Sequence, residues 1–370
     1  MTPVARIGGG VVAGVLASAA FALVVGATTR ARAPHDTLVP EDASGHLQRI
    51  AIHYVPAMDR QAMPVWRQLF RALPSDVEVE VAVPAARDFT QLVDSLGAAG
   101  VAHLERFHAV VVDHPLTTWS RDRMAALAGP RGGSVLAPPR IATASGGRAG
   151  DWDAPFAIAR DVYHASPRIA PFLFEGGDLA ASAHHVFADA NLIGRNLGRG
   201  DATRAHLETV LANTFAQDVV WLGDAQGEVP EHHIMMYMMP LDDTSVLVGD
   251  VRSGLRLADG AVPIDPDVEL QARRFDRAAE LLAAKGFAVT RIPVVVLPGA
   301  GSYVTYTNAV FDRDAAGKVV YLPTYRQPAL DAEATRIYTS LGYRVVPIDV
   351  STIYTLNGSL GCLVNVMARG

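Results

Sequence analysis

The chain has 370 residues, 50% of them apolar and 19% charged, with a net charge of −6. That is enough apolar material to bury the core of one large domain or two ordinary ones, and it excludes global disorder. The negative balance and the lack of a long Lys/Arg run give no polyanion-binding surface, so no nucleic-acid partner is expected. Cys362 is the single cysteine; it excludes an intramolecular disulfide and leaves no Cys-based zinc site. No metal and no cofactor are expected.

The first thirty residues differ from the rest. Ile7 to Thr28 is uncharged and rich in Gly, Ala and Val, with Arg6 ahead of it and Arg30 and Arg32 behind. A run of roughly 22 residues just spans a bilayer. The Ala31-Arg32-Ala33 triplet resembles a cleavage site, although Pro34 directly after it is a poor context. Two readings of residues 1–30 stand side by side, a cleaved signal and a retained anchor with membrane attachment through residues 7–28. Either one predicts an exported, periplasmic or membrane-anchored protein. Residues 31–48 are polar, contain Pro34 and Pro40, and read as a linker. Residues 49–370 are expected to be the catalytic-type domain.

From Arg49 onward, strand and helix signals alternate. Short Val/Ile-rich runs predict buried strands at Arg49–Val55, Val77–Val83, Phe107–Asp113, Asp218–Leu222, Ser245–Asp250, Ala288–Leu297, Lys318–Leu322 and Tyr343–Asp349. Residues 129–167 carry many Gly, Pro and Ala residues and read as a long loop. Helices are predicted over Asp201–Phe215, with Asp201 as N-cap, over Pro266–Lys285, and over Asp331–Leu341. In the second, Val268, Ala272, Phe275, Ala279 and Leu282 share one face, and Gly286 ends the pattern. Such alternation defines an α/β fold.

Four local motifs stand apart from this framework. They are Trp119-Ser120-Arg121-Asp122, Phe174-Glu175-Gly176-Gly177-Asp178, His232-His233-Ile234-Met235-Met236-Tyr237, and Asn357-Gly358-Ser359-Leu360-Gly361-Cys362. Each has an ordinary structural explanation. A lone Cys beside Gly and Leu behaves as a small hydrophobe. Glu-Gly-Gly-Asp makes a turn, and an Arg-Asp pair starts a solvated helix.

Taken together and in order, the motifs resemble the guanidine-modifying superfamily of deiminases, dimethylarginine hydrolases and amidinotransferases. The agmatine deiminase and bacterial peptidyl-arginine deiminase branch is the most similar. Ser302-Tyr303 followed by Asn308 supplies the remaining element, and the resemblance covers roughly Arg49 to Gly370. It implies a five-module α/β propeller of the pentein type with a central site. It also implies Cys362 as nucleophile, His233 as acid and base in turn, Glu175 as the group orienting that histidine, and Asp122 as the grip on the guanidinium. Trp119, Arg121, Asp178, Met235 and Asn308 are the implied substrate-binding positions. The chemistry fits these residue types. A delocalised guanidinium is a poor electrophile and needs a thiolate; one His can protonate the leaving amine and then activate water; carboxylates hold the planar cation through two parallel hydrogen bonds.

The sequence departs from that pattern at two places. The superfamily's deiminases and amidinotransferases read His-x-Asp where this chain has His233-Ile234-Met235, so a second carboxylate is missing and an apolar wall is expected there. Gly361 stands where His often precedes the cysteine. The leading expectation is a Cys-dependent hydrolase acting on a guanidine or amidine C–N bond through a covalent thiouronium, with a small-molecule guanidine or an arginyl peptide as substrate. An amidinotransferase and a degenerate ligand- or partner-binding member are the alternatives.

Overall fold

Strands form where Val and Ile cluster, because β-branched side chains pack well on a pleated, buried surface. A computed structural model of the chain describes residues 36–130, 132–140, 148–198, 202–260, 262–299 and 301–370. Among them the strands assemble into five small sheets. The first orders Asn365–Arg369, Leu47–His53, Glu78–Val83 and Phe107–Val111. The second orders Thr37–Leu38, Ala125–Gly129, Gly132–Ala137 and Arg168–Ile169, and the third Asp218–Leu222, His185–Asp189 and Ala180–Ala181. Met238–Pro240, Ser245–Asp250, Ala288–Val296 and Tyr303–Thr305 make the fourth; Val310–Asp314, Gly317–Thr324 and Tyr343–Asp349 make the fifth. Every sheet joins an antiparallel pair to a parallel neighbour.

The parallel pairs need crossovers, and helices supply them. Val268–Ala284 connects the parallel strands of the fourth sheet and buries Ala272, Phe275, Ala279 and Leu282, four of the five residues placed on its inner face. A fully buried phenylalanine such as Phe275 contributes about 2 kcal/mol by leaving water. Pro266 lies just outside that helix. Pro328–Ser340 plays the same part in the fifth sheet. The third expected helix begins at Arg204, with the Thr203 hydroxyl accepting from the His206 N–H at 3.3 Å; Asp201, the expected cap, lies outside the described residues.

Two expectations change. Residues 36–48 are part of the folded unit rather than linker. Thr37–Leu38 pairs with Ala125–Gly129, and Val39, Glu41 and Ala43 are buried. Their polarity is used inside: Glu41 meets Arg121 in a buried ion pair. The stretch 129–167, expected as loop, carries the strand Gly132–Ala137 and the helix Ala154–Tyr163. Its glycines serve close packing: a Cβ on Gly133 would stand 2.5 Å from the Tyr163 ring. The apolar run 7–28 lies outside the described residues. Among those that are described, no helix is long and apolar enough to cross a membrane.

Candidate active site

The topology brings the motifs together. The Trp119–Asp122 turn lies on the passage from the first sheet to the second, Glu175–Asp178 from the second to the third, and His233–Met236 from the third to the fourth. Asn308 lies between the fourth and fifth sheets. Cys362 lies on the return from the fifth to the first, where Asn365–Arg369 pairs with Leu47–His53.

Hydrogen bonds link these five passages into a closed ring. The Gly176 N–H donates to the Asp122 carbonyl at 3.2 Å. His233 Nε2 meets Glu175 Oε2 at 3.0 Å. The Thr307 hydroxyl donates to the Met235 carbonyl at 3.0 Å. The Cys362 N–H donates to Asn308 Oδ1 at 3.1 Å, and the Arg121 N–H to the Cys362 carbonyl at 3.4 Å. Ser120 Oγ adds a bond to the Leu363 carbonyl at 2.7 Å.

Two glycines let this ring close. A Cβ on Gly177 would lie 2.4 Å from His233 Nδ1, and one on Gly358 would lie 2.3 Å from the Trp119 indole. Glycine is required here by proximity, without any need for positive φ. The Glu175-Gly-Gly-Asp178 turn is fixed further by the Glu175 N–H, which donates to Asp178 Oδ2 at 2.7 Å.

The ring encloses a cavity of ≈ 580 Å³ whose walls include Trp119, Asp122, Glu175, His233 and Cys362. Those are five of the nine residues singled out from the sequence, and the other four lie behind the walls. Arg121 is buried against Glu41. Asp178 pairs with Arg195. Asn308 is fully buried and holds the backbone of the Cys362 turn. Met235 is 1% exposed and belongs to the core; the sulfur beside Cys362 Sγ, at 3.9 Å, is that of Met236.

The electrostatics of the two adjacent histidines are opposite. Burial works against a charged His233 ring. The neighbouring Cys362 side chain, the hydrogen bond with Glu175, and the nearby Asp122 and Asp178 carboxylates outweigh that burial and hold its pKa well above 6.5. His232 is pushed down to about 3 by burial and by the His233 charge, so it is neutral. Its Nε2 meets the Asn357 carbonyl at 3.2 Å, tying two cavity walls together. Burial likewise opposes the Glu175 carboxylate. The His233 hydrogen bond and the Arg195 and Arg123 charges win, and its pKa lies well below 4.5. Asp122 goes the other way: burial, reinforced by Glu175, raises it against the opposing His233 and Arg148 charges.

Sequence reasoning missed the arginines. Arg123 and Arg195 both pair with Glu175, the latter at 2.8 Å, and Arg148 pairs with Asp122. Arg123 follows Asp122 directly and was the one legible signal. Arg148 and Arg195 lie in segments with no motif. Asn191, Gln226 and Glu231 complete the polar lining. Among the described residues, no group of three or more His, Cys, Asp or Glu side chains is arranged to hold a metal ion.

The passages between the five sheets thus bring a Cys, a His and two carboxylates to one cavity. The family profile of Porphyromonas-type peptidyl-arginine deiminases matches residues 52–367, and the chain belongs to that family. Agmatine deiminase from C. jejuni superposes with a TM-score of 0.67 at 15% identity, over 90% of this chain and 96% of that one. A substrate-bound variant of the C. jejuni enzyme gives 0.68 at 15% identity, with 90% and 97% covered. Agmatine deiminase of Enterococcus faecalis gives 0.64 at 12% identity, with 90% and 96% covered. Among curated proteins, none matches the chain at a significant level of sequence similarity.

Proposed function

We propose that the chain is a Cys-dependent guanidine hydrolase of the deiminase type. In this reading the Cys362 thiolate attacks the guanidino carbon, and the charged His233 ring is its neighbour. The tetrahedral adduct collapses as His233 passes its proton to the departing nitrogen, releasing ammonia or an amine and leaving an S-alkylthiouronium on Cys362. Neutral His233 then takes a proton from water, and the hydroxide adds to the same carbon. The C–S bond breaks and the hydroxyl proton leaves with the released ammonia or amine, giving a ureido product and restoring the thiolate and the imidazolium. Glu175 holds the ring through Nε2 and so keeps it beside the cysteine for both proton transfers. Asp122 is the group that grips the guanidinium.

The observation that carries the reading is His233 held by Glu175 at 3.0 Å and interacting with Cys362 inside the cavity that Asp122 also lines. Family membership supports it, as does the likeness in fold to agmatine deiminases, one of them with substrate bound. The five sheets, with the last strand closing onto the first sheet, support a five-module propeller. The cavity volume suits a small guanidine or the side chain of a peptidyl arginine. Residues 7–28 keep their proposed role as signal or anchor, with an exported or membrane-attached location.

The test is a screen of agmatine, arginine, methylarginines and arginyl peptides for ureido product together with ammonia or amine. Hydrolysis of any of them supports the reading. Binding without turnover across the set refutes it in favour of a non-catalytic member.

A further inference from the structure

The turn that carries His233 is held from behind the cavity wall. His232, which enters it, has a φ of 76°, a left-handed conformation that a non-glycine residue keeps only when its surroundings hold it there. Asn191 supplies that hold: its Nδ2 lies 3.3 Å from the His232 carbonyl and 2.9 Å from the Pro230 carbonyl. Tyr237 closes the far end of the turn, its N–H donating to the Ile234 carbonyl at 3.1 Å. Both ends converge on Asp189, the last residue of the strand His185–Asp189. The Asn191 N–H donates to Asp189 Oδ1 at 2.9 Å, Asn191 Nδ2 donates to Oδ2 at 3.1 Å, and the Tyr237 hydroxyl donates to Oδ2 at 2.7 Å. Asp189 and Tyr237 are both fully buried. The titratable groups near Asp189 are Asp178, Tyr237 and Tyr303, and among the described residues no cation pairs with it. A buried carboxylate without a cation is costly. Here three donors, drawn from both sides of the His233 turn, are aimed at one.

We propose that Asp189 is a positioning residue of the reaction, a buried carboxylate that fixes the His233 turn through Asn191 before it and Tyr237 after it. The proposal rests on His233 being the proton-transfer group, as in the hydrolase reading. Asp189 is not on the cavity wall, so it acts on the reaction only through the placement of that ring. Its contacts fit the ionised form, since all three neighbours donate to it. Protonation removes the charge that draws them and puts a hydrogen where donors already point. Burial pushes the Asp189 pKa up to about 7, with Asp178 adding to the rise, against the Tyr237 and Asn191 hydrogen bonds that lower it. The hold on the His233 turn is therefore complete on the alkaline side of neutrality and loosens as the carboxylate is protonated.

The experiment compares the full chain with its Asp189→Asn and Tyr237→Phe variants between pH 6 and pH 8, with folding monitored by circular dichroism. Two rates are read: kcat on the best guanidine substrate, and alkylation by iodoacetamide, which reports Cys362 alone because it is the single cysteine. Asp189→Asn keeps the shape but turns an acceptor into a donor. At pH 8 it should lower kcat and the alkylation rate about tenfold, with KM within about threefold of wild type. From pH 8 to pH 6 both rates should fall about fivefold in wild type and less than half as much in Asp189→Asn, where position 189 no longer titrates. Tyr237→Phe takes one donor from the carboxylate, so its fall should set in at higher pH; this variant serves alone where the Asn variant fails to fold. A residue with only a structural role would lower the Tm and leave the pH profile as in wild type. An equal fall with pH in wild type and Asp189→Asn overturns the proposal. So does a folded Asn variant with both rates within about threefold of wild type, or a Tyr237→Phe profile that does not move. Alkylation needs no guanidine substrate, so failure of the hydrolase reading is separable from failure of this one.

Discussion

Gly177→Ala isolates the geometry on which the site depends. The added Cβ would stand 2.4 Å from Nδ1, 2.5 Å from Cγ and 2.9 Å from Cβ of His233, against an ordinary contact of at least 3.4 Å. The ring must therefore shift by about 1 Å, and it has little room to do so. His233 is 2% exposed and its Nε2 is tied to Glu175 at 3.0 Å. Overpacking of this kind costs about 1–3 kcal/mol of stability. A catalytic group misplaced by ~1 Å costs on the order of 10²-fold in rate. The assay is kcat on the best guanidine substrate alongside thermal unfolding. Gly260→Ala is the control, since nothing lies within 4 Å of its added Cβ. A Gly177→Ala protein with kcat within about threefold of wild type would refute the claim that this approach positions His233.

Other outcomes follow from the same contacts. Glu175→Gln removes the charge shared by His233, Arg123 and Arg195 and should destabilise the protein by roughly 3–5 kcal/mol, because buried cations are left unpaired. In that variant the His233 ring, followed by NMR titration, should titrate at lower pH; an unchanged titration would remove Glu175 as its orienting group. The pH dependence has two limbs. The Glu175 pKa is depressed in the folded state, so its stabilisation is complete above about pH 4.5 and is lost as pH falls through the folded value. The His233 pKa is raised, so its contribution is complete below about pH 6.5 and fades as pH rises through its folded value. Denaturant unfolding across pH should therefore show the stability gap between wild type and Glu175→Gln closing on the acid side; a gap constant with pH counts against this. Met235→Asp should lower the Tm without improving guanidine affinity, since it places a carboxylate in the core; ligand-dependent stabilisation of the variant would return position 235 to the site. A chain beginning at Pro34 should unfold at the wild-type temperature, because residues 34–370 form one compact unit; loss of the cooperative transition would contradict this.

The eight strands read from the sequence all exist, because Val/Ile runs between turn residues report burial directly. Several strands absent from that reading are short or built from small residues, such as Ala125–Gly129 and Ala180–Ala181, whose pairing is decided by neighbours far along the chain. The helix Ala154–Tyr163 was hidden in a stretch whose composition suggested loop, since glycines that permit close packing look the same as glycines that permit turns. In the site, the order of motifs placed Cys362, His233, Glu175, Asp122 and Trp119 on one cavity, because each motif occupies a passage between sheets. Motif membership did not distinguish residues facing the cavity from those supporting it. Asn308 and Arg121 carry motif identity yet spend their polar groups on the Cys362 turn and on Glu41. Arg148 has no local signature; its place on Asp122 arises from tertiary proximity alone.

The proposed hydrolysis depends on covalent chemistry at Cys362. The direct measurement is mass spectrometry of protein acid-quenched during turnover of a guanidine substrate, followed by peptide mapping. An amidino-type adduct is expected on the Cys362 peptide, with no adduct in Cys362→Ser and a longer-lived adduct when His233 is replaced by Ala. Turnover that proceeds without any adduct at Cys362, or that survives Cys362→Ser, would contradict it.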